Sequence, residues 1–263
     1  MIFNHQGKLK GKGEFNEKGE RIGRWIWYDD FGNTTITEQY VDGKLEGEYL
    51  SFYTNKNSKV VCNYKAGKLD GVYKKYNKKG ALIEEKVFSE DQLDGSYTSY
   101  YSLGVSAKEY VFNYREGNPE GELLQYHPNG KLHKKRKYAE GKIIGKEQKF
   151  YNNEGLQSEF DYSEGVINGS YTTYHKNGTK YEEGIAVEGE YDGVIKLYYD
   201  DGTIMNDFTY TKGKLNGLYK EYDIDGKLYY EFVYRNDEII DYKYFEKAGN
   251  TIANSKKKKR EYY

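Results

Sequence analysis

The sequence predicts an all-β fold: an elongated repeat array of consecutive antiparallel β-hairpins forming a single-layer twisted sheet. Three observations carry it: a glycine that recurs with a period of twenty-four, aromatic columns in phase with that glycine, and two turn signals inside each period. A period held over nearly the whole chain sets the architecture before local propensity is considered.

The marker glycines are Gly23, Gly47, Gly71, Gly95, Gly121, Gly145, Gly169, Gly193 and Gly217, and a further step reaches Asp241. Eight of the nine steps are equal, and the step from Gly95 to Gly121 is longer by two. An insertion of two lengthens a strand without exchanging its faces, which fits a sheet.

Aromatic columns follow the marker. Two positions after it stand Trp25, Tyr49, Tyr73, Tyr97, Leu123, Glu147, Tyr171, Ile195 and Tyr219. Five after it stand Tyr28, Phe52, Tyr76, Tyr100, Tyr126, Phe150, Tyr174, Tyr198 and Tyr222, and the tenth unit breaks this column with Glu246. Seven before it stand Tyr40, Tyr64, Phe88, Tyr114, Tyr138, Tyr162, Ala186, Tyr210 and Tyr234. The first two columns differ by three positions, so a regular strand sends them to opposite faces. Either both faces carry rings or a bulge re-aims one column.

Two turns separate the strands. A polar one ends in glycine nine positions after the marker (Gly32, Gly80, Gly104, Gly130, Gly178, Gly202, Gly226), with Asn-Gly at 129–130 and 177–178. Asn-Gly tolerates positive φ at both positions and is a strong hairpin signal. The other reads Gly43-Lys44-Leu45-Glu46-Gly47 and recurs at 67–71 and 213–217, its central Leu being free to fold back as a plug. Helix competes poorly, because glycines interrupt every short run and the runs are rich in tyrosine.

Composition agrees with a thin sheet. The chain has 263 residues, 37% hydrophobic, 32% charged and 17% aromatic, with 32 tyrosines and two prolines. Tyrosine packs a ring while leaving its hydroxyl wet, so it suits an array with little deep interior. A lone hairpin of this length cannot fold, so neighbouring hairpins must share a ladder and stack their aromatic columns. Ten hairpins at about 4.8 Å per strand form a ribbon on the order of 95 Å.

The expected domains are a degenerate N-terminal cap hairpin at 1–23, the array proper at 24–241, and a degenerate last repeat with a basic tail at 242–263. Phe3-Asn4, Gly7 and Gly11 are echoed by Phe15-Asn16, Gly19 and Gly23, a spacing of half the full period. Asp241, Lys243 and Glu246 stand where earlier repeats carry glycine and aromatics. Charged terminal repeats protect an open sheet edge.

The pattern Gly-x-Tyr-x-x-Tyr-x-x-x-Gly, then an aromatic and Gly-Lys-Leu-x-Gly, resembles the MORN repeat in its bacterial variant, most cleanly at 71–95 and 217–241 and over roughly residues 1–250. The resemblance implies a single-layer sheet of hairpins, no catalytic activity, and a scaffold or adaptor role. It also implies anionic-phospholipid association for some members and an antitoxin role for one bacterial group. Asp91 and Asp237 in the second turn, Pro119 at its Leu position and Glu147 in an aromatic column depart from the pattern and are expected to weaken their own repeats.

No catalytic or metal-binding constellation is legible. His127 and His175 share a slot two repeats apart, about 19 Å in a regular sheet, too far for a shared zinc. His5 and His133 share no spacing with them. Cys62 reads as a buried apolar thiol with no disulfide partner. No glycine-rich stretch opens a helix, and the carboxylates follow turns and exposed strand positions, so neither a phosphate loop nor an acid–base dyad is predicted and no cofactor is expected. Net charge is −1 from 41 basic and 42 acidic residues, so nucleic-acid binding is not expected.

The expected function is non-catalytic: a protein-binding scaffold or adaptor. The expected binding face is Trp25, Tyr49, Tyr73 and Tyr97, the longest aromatic run in one column. An alternative is a scaffold on an anionic membrane surface through Lys256, Lys257, Lys258, Lys259 and Arg260, each basic residue contributing about 1 kcal/mol near a charged bilayer. Alternation puts only half of the second basic run, Lys134-Lys135-Arg136-Lys137, on one face. A third reading is an antitoxin that neutralises a partner toxin. With no apolar run long enough for a membrane helix and no leader visible from Met1, the default compartment is the cytoplasm; a leader ahead of Met1 would redirect it to secretion.

Overall fold

The computed structural model describes residues 1–101, 107–245 and 251–254, the last four by backbone alone. Gly104, Glu246 and the basic run 256–260 lie outside the described residues. The chain divides into two units, Met1–Lys131 with Tyr138–Gly141, and Leu132–Lys137 with Lys142–Tyr263. Strand β14 (Leu132–Ala139) contributes residues to both.

In the first unit, β1 (Ile2–Phe3), β2 (Leu9–Phe15), β3 (Arg21–Tyr28), β4 (Thr34–Val41), β5 (Lys44–Leu45), β6 (Gly47–Phe52), β7 (Ser58–Lys65), β8 (Lys68–Leu69), β9 (Gly71–Tyr76), β10 (Leu82–Ser89), β11 (Gln92–Tyr100), β12 (Lys108–Arg115) and β13 (Asn118–Tyr126) follow one another. Each main strand pairs antiparallel with the one before it in the chain, so the sheet is a run of hairpins. The second unit repeats this through β15 (Lys142–Phe150), β16 (Leu156–Ser163), β17 (Val166–Tyr174), β18 (Lys180–Val187), β19 (Glu190–Tyr191), β20 (Gly193–Tyr198), β21 (Ile204–Thr211), β22 (Lys214–Tyr222), β23 (Leu228–Arg235), β24 (Glu238–Phe245) and β25 (Thr251–Asn254). The predicted all-β hairpin array is the fold.

The marker glycines owe their place to the backbone. All nine from Gly23 to Gly217 hold positive φ, between +63° and +131°. Each kinks the chain between a short arm such as β5 and the strand proper such as β6, a conformation other residues reach only with strain. At the tenth step no such kink occurs, and Asp241 simply pairs opposite Val233.

The second turn is a type I′ hairpin with two successive left-handed residues, as in Asp42 (φ +46°) and Gly43 (φ +77°). Its Leu is no free plug. Leu45 pairs across from Tyr40, and its carbonyl accepts the Gly67 amide of the next turn at 2.8 Å. The same bond joins Gly117 to Leu93 and Gly189 to Ile167, both at 2.8 Å, so successive turns along that edge are tied to each other.

The polar turn follows its own rule. A side-chain oxygen, that of Asn77 or Asp223 at the sixth position after the marker or that of Asn55, Asn177 or Asp201 at the eighth, accepts from the backbone N–H two positions on. Where the eighth position does this work, the sixth is free to be Tyr or His. Tyr53, Tyr151 and Tyr199 then donate to the carbonyls of Tyr76, Tyr174 and Tyr222 in the next repeat. His175 holds the same place, its Nε2 lying 3.0 Å from the Tyr198 carbonyl oxygen.

Both faces carry rings, which answers the question the three-position offset left open. A bulge is present, since Ser51 pairs with Val60 and Phe52 with Ser58, leaving Lys59 over. It lies on the partner strand and does not re-aim the fifth-position column. Tyr222 donates to Asp207 at 3.0 Å, and Tyr198 donates to Glu183, on one face. The second-position column packs on the other, which we call the packing face.

Candidate binding face

The packing face is built from a row that the sequence reading overlooked. Nine positions before each marker stands a side chain directly opposite the second-position column: Tyr49 faces Cys62, Tyr73 faces Lys86, Tyr97 faces Phe112, Ile195 faces Phe208 and Tyr219 faces Phe232. Rings of this row also stack on the second-position column of the following repeat. Phe160 and Tyr171 lie 5.6 Å apart at 6°, and Phe208 and Tyr219 lie 5.5 Å apart at 16°. Such pairs contribute about 0.5–1.5 kcal/mol beyond their buried area. The row hid in the sequence because its occupants include Glu38, Cys62, Lys86, Arg136 and Gly184 as well as phenylalanine.

Of the four residues expected to form a binding face, Trp25 requires correction. Its indole is wholly buried, lies against Gly13, donates to the Glu14 carbonyl at 3.2 Å and stacks on Trp27 at 5.6 Å. The Arg21 guanidinium covers both tryptophans at 5.1 and 4.8 Å, and Glu38 accepts from Trp27 and Tyr40. Trp25 is a packing residue with no surface to offer a partner.

Tyr49, Tyr73 and Tyr97 are half-buried and line two shallow hollows in the first unit. The larger, about 410 Å³, lies among Tyr49, Tyr64 and Tyr73 with Ser51, Val60 and Cys62 as smaller lining residues. The smaller, about 330 Å³, is lined by Tyr97, Tyr100 and Tyr101 with Lys75, Glu84, Ser99 and Glu109. Small side chains at the fourth position, Ser51 and Ser99, open these spaces where β3 carries Trp27. That alternation of bulk was readable in the sequence but carried no meaning until strand pairing put the positions beside one another.

Burial, then the neighbouring Cys62, pushes the Tyr64 phenol up to about 12, and burial, then the Glu84 carboxylate, does the same for Tyr97. Burial also raises Tyr49 and Tyr73. All four are hydroxyl donors at neutral pH. The Cys62 thiol, 2% exposed, is pushed up to about 11 by burial, so it is a poor nucleophile.

The packing face of the second unit is filled differently. Tyr171 donates to Glu182 at 2.7 Å and leans over Gly184, whose added Cβ would sit 2.8 Å from the Tyr171 hydroxyl. Ala186 replaces an aromatic, and Tyr191 fills the gap from the turn, 5.6 Å from Tyr171 and 5.4 Å from Tyr210. Glu147, 4% exposed, meets Arg136 at 3.3 Å. Burial, with Lys149 and Arg136 close by, lowers the Lys134 ammonium despite the opposing pull of Glu147.

Among the described residues no group of three or more His, Cys, Asp or Glu side chains is placed to hold a metal ion. No described helix is long and apolar enough to cross a membrane. The proposed lipid-binding residues Lys256, Lys257, Lys258, Lys259 and Arg260 lie outside the described residues.

Hairpins tied edge to edge, with a ring-lined face and no metal-holding cluster among the described residues, define a β-hairpin repeat protein. Three segments, residues 45–66, 119–140 and 215–236, match the MORN repeat variant. Proteins with this repeat often bind proteins or membranes and are generally non-catalytic. No curated protein matches the chain. Among solved structures, a complex of TcdB2, TccC3 and Cdc42 aligns at 10% identity over 93% of this chain and 18% of that one, with a TM-score of 0.21. The Photorhabdus luminescens Tc holotoxin pore aligns at 11% identity over 92% and 18%, with a TM-score of 0.20. The chain thus spans under a fifth of either, and likeness at this level carries no inference about role.

Proposed function

We propose that this chain is a non-catalytic scaffold or adaptor that binds a protein partner on the packing face of its first unit. The observation that supports this reading is the hollow of about 410 Å³ between Tyr49 and Tyr73. Its tyrosine walls present apolar ring surface with hydroxyl donors, the chemistry enriched at interface hot spots. Tyr64 packs edge-on against Tyr49 at 5.8 Å and holds that ring in place.

The test is quantitative affinity capture from cells of the source organism with the wild type and with the Tyr49→Ala/Tyr73→Ala variant. A partner retained by the first and lost at least tenfold by the second supports the reading, provided the variant melts cooperatively. Equal capture by both removes this face as the binding site. Binding instead to anionic vesicles in a salt-sensitive manner would favour the membrane alternative.

A further inference from the structure

We infer that the smaller hollow of the first unit is a receptor for a guanidinium or ammonium group, presented by a basic side chain of the protein partner. The inference rests on the protein-binding reading and adds the chemistry of the partner's anchor.

Three features converge at one end of this hollow. Glu109 is the extra residue of a bulge, since Ser99 pairs with Tyr110 and Tyr100 with Lys108. The bulge brings its half-buried carboxylate into the lining beside Tyr100 and Tyr101, and Glu109 forms no ion pair among the described residues. Ser99 is 9% exposed, and its Oγ, near the Tyr97 phenol, makes no hydrogen bond of acceptable geometry. A buried hydroxyl left unpaired carries a desolvation cost that a ligand donor would relieve. The Tyr101 hydroxyl is committed to the Tyr126 carbonyl at 2.6 Å, so its ring is fixed as a wall rather than free to close the space.

The remaining charges do not cancel this end. Glu84 is taken by Lys86 at 3.2 Å. Lys75 also lines the hollow, from β9, three strands and roughly 14 Å of backbone away from Glu109 on β12. A carboxylate, a hydroxyl acceptor and tyrosine rings together suit an organic cation, which the carboxylate attracts and the oxygens orient. A carboxylate-bearing or neutral anchor would leave Glu109 opposed or unused.

The probes are N-acetyl-arginine amide and its neutral isostere N-acetyl-citrulline amide, with affinities measured by ligand-observed NMR on the full chain at low salt. The expected result is at least fivefold tighter binding of the arginine probe, reduced to within twofold of citrulline by Glu109→Gln, with Ser99→Ala weakening the arginine probe severalfold. Far-UV circular dichroism and melting of each variant confirm that the sheet is kept. Equal affinity for the two probes in the wild type, or an arginine preference unchanged in Glu109→Gln, overturns the inference. It fails independently of the partner reading, which stands or falls on capture by the Tyr49→Ala/Tyr73→Ala variant.

Discussion

Asp91 and Leu69 exchange two hydrogen bonds across a repeat boundary: the Asp91 amide donates to the Leu69 carbonyl at 2.9 Å, and the Leu69 amide donates to Asp91 Oδ1 at 2.8 Å. Asp237 and Leu215 repeat the arrangement at 2.9 and 2.8 Å. These aspartates replace the turn glycine, and sequence comparison between repeats marks them as defects. The structure corrects this. Each accepts a left-handed backbone, φ +70° and +68°, and its carboxylate satisfies an amide of the preceding repeat.

Asp91→Ala should therefore be worse than Asp91→Gly. Alanine keeps the left-handed strain and loses the carboxylate, for a loss of about 1–3 kcal/mol, whereas glycine relieves the strain while losing the bond and should come within about 1 kcal/mol of wild type. Urea unfolding of the two variants gives the comparison.

Lys56 occupies a polar-turn position at φ +68° where most repeats carry glycine. Lys56→Gly should stabilise the chain by about 0.5–1 kcal/mol, the relief of left-handed strain partly offset by the greater freedom of glycine when unfolded. A lower urea midpoint for Lys56→Gly would contradict this account of the turn.

Marker glycines differ in what surrounds them. A Cβ on Gly169, at φ +131°, would lie 2.9 Å from Asp161 Cβ, whereas one on Gly193, at φ +90°, meets nothing within 4 Å. Gly193→Ala should cost about 1–2 kcal/mol from strain alone, and Gly169→Ala distinctly more. Thermal melts of both proteins under one buffer decide the order.

Stability should fall in alkali. Burial, ahead of other causes, raises Tyr64 and Tyr97 to about 12, above the ordinary phenol value near 10. Because the unfolded chain loses these protons first, their contribution is whole below pH 10 and declines as pH rises from about 10 to about 12. Urea midpoints across that range should drop, and Tyr97→Phe should flatten the drop. A midpoint independent of pH between 9 and 12 would refute the linkage.

The Arg136–Glu147 pair interrupts a row of rings. Arg136→Ala alone leaves Glu147 buried, with Lys149 no nearer than 4.0 Å, and should cost about 3 kcal/mol, while Arg136→Phe with Glu147→Tyr should restore ring stacking and recover most of it. A double-mutant cycle followed by urea unfolding measures the coupling.

The period, the two turn types and the aromatic columns in phase with them were legible in the chain itself, because glycine and Asn-Gly report backbone conformations that few other residues adopt. That reading reached the hairpin array and placed Tyr49, Tyr73 and Tyr97 in one column of rings, but nothing local distinguished them from Trp25. Strand pairing made that distinction: it laid Gly13 under Trp25 and Arg21 over it, and set small Ser51 and Ser99 beside tyrosines so that hollows opened there. It also turned Asp91 from an apparent flaw into a clasp. Local residue patterns determine where a strand bends and which faces it has. Which side chains end up covered depends on neighbours in adjoining strands and repeats, and only the folded sheet brings those together.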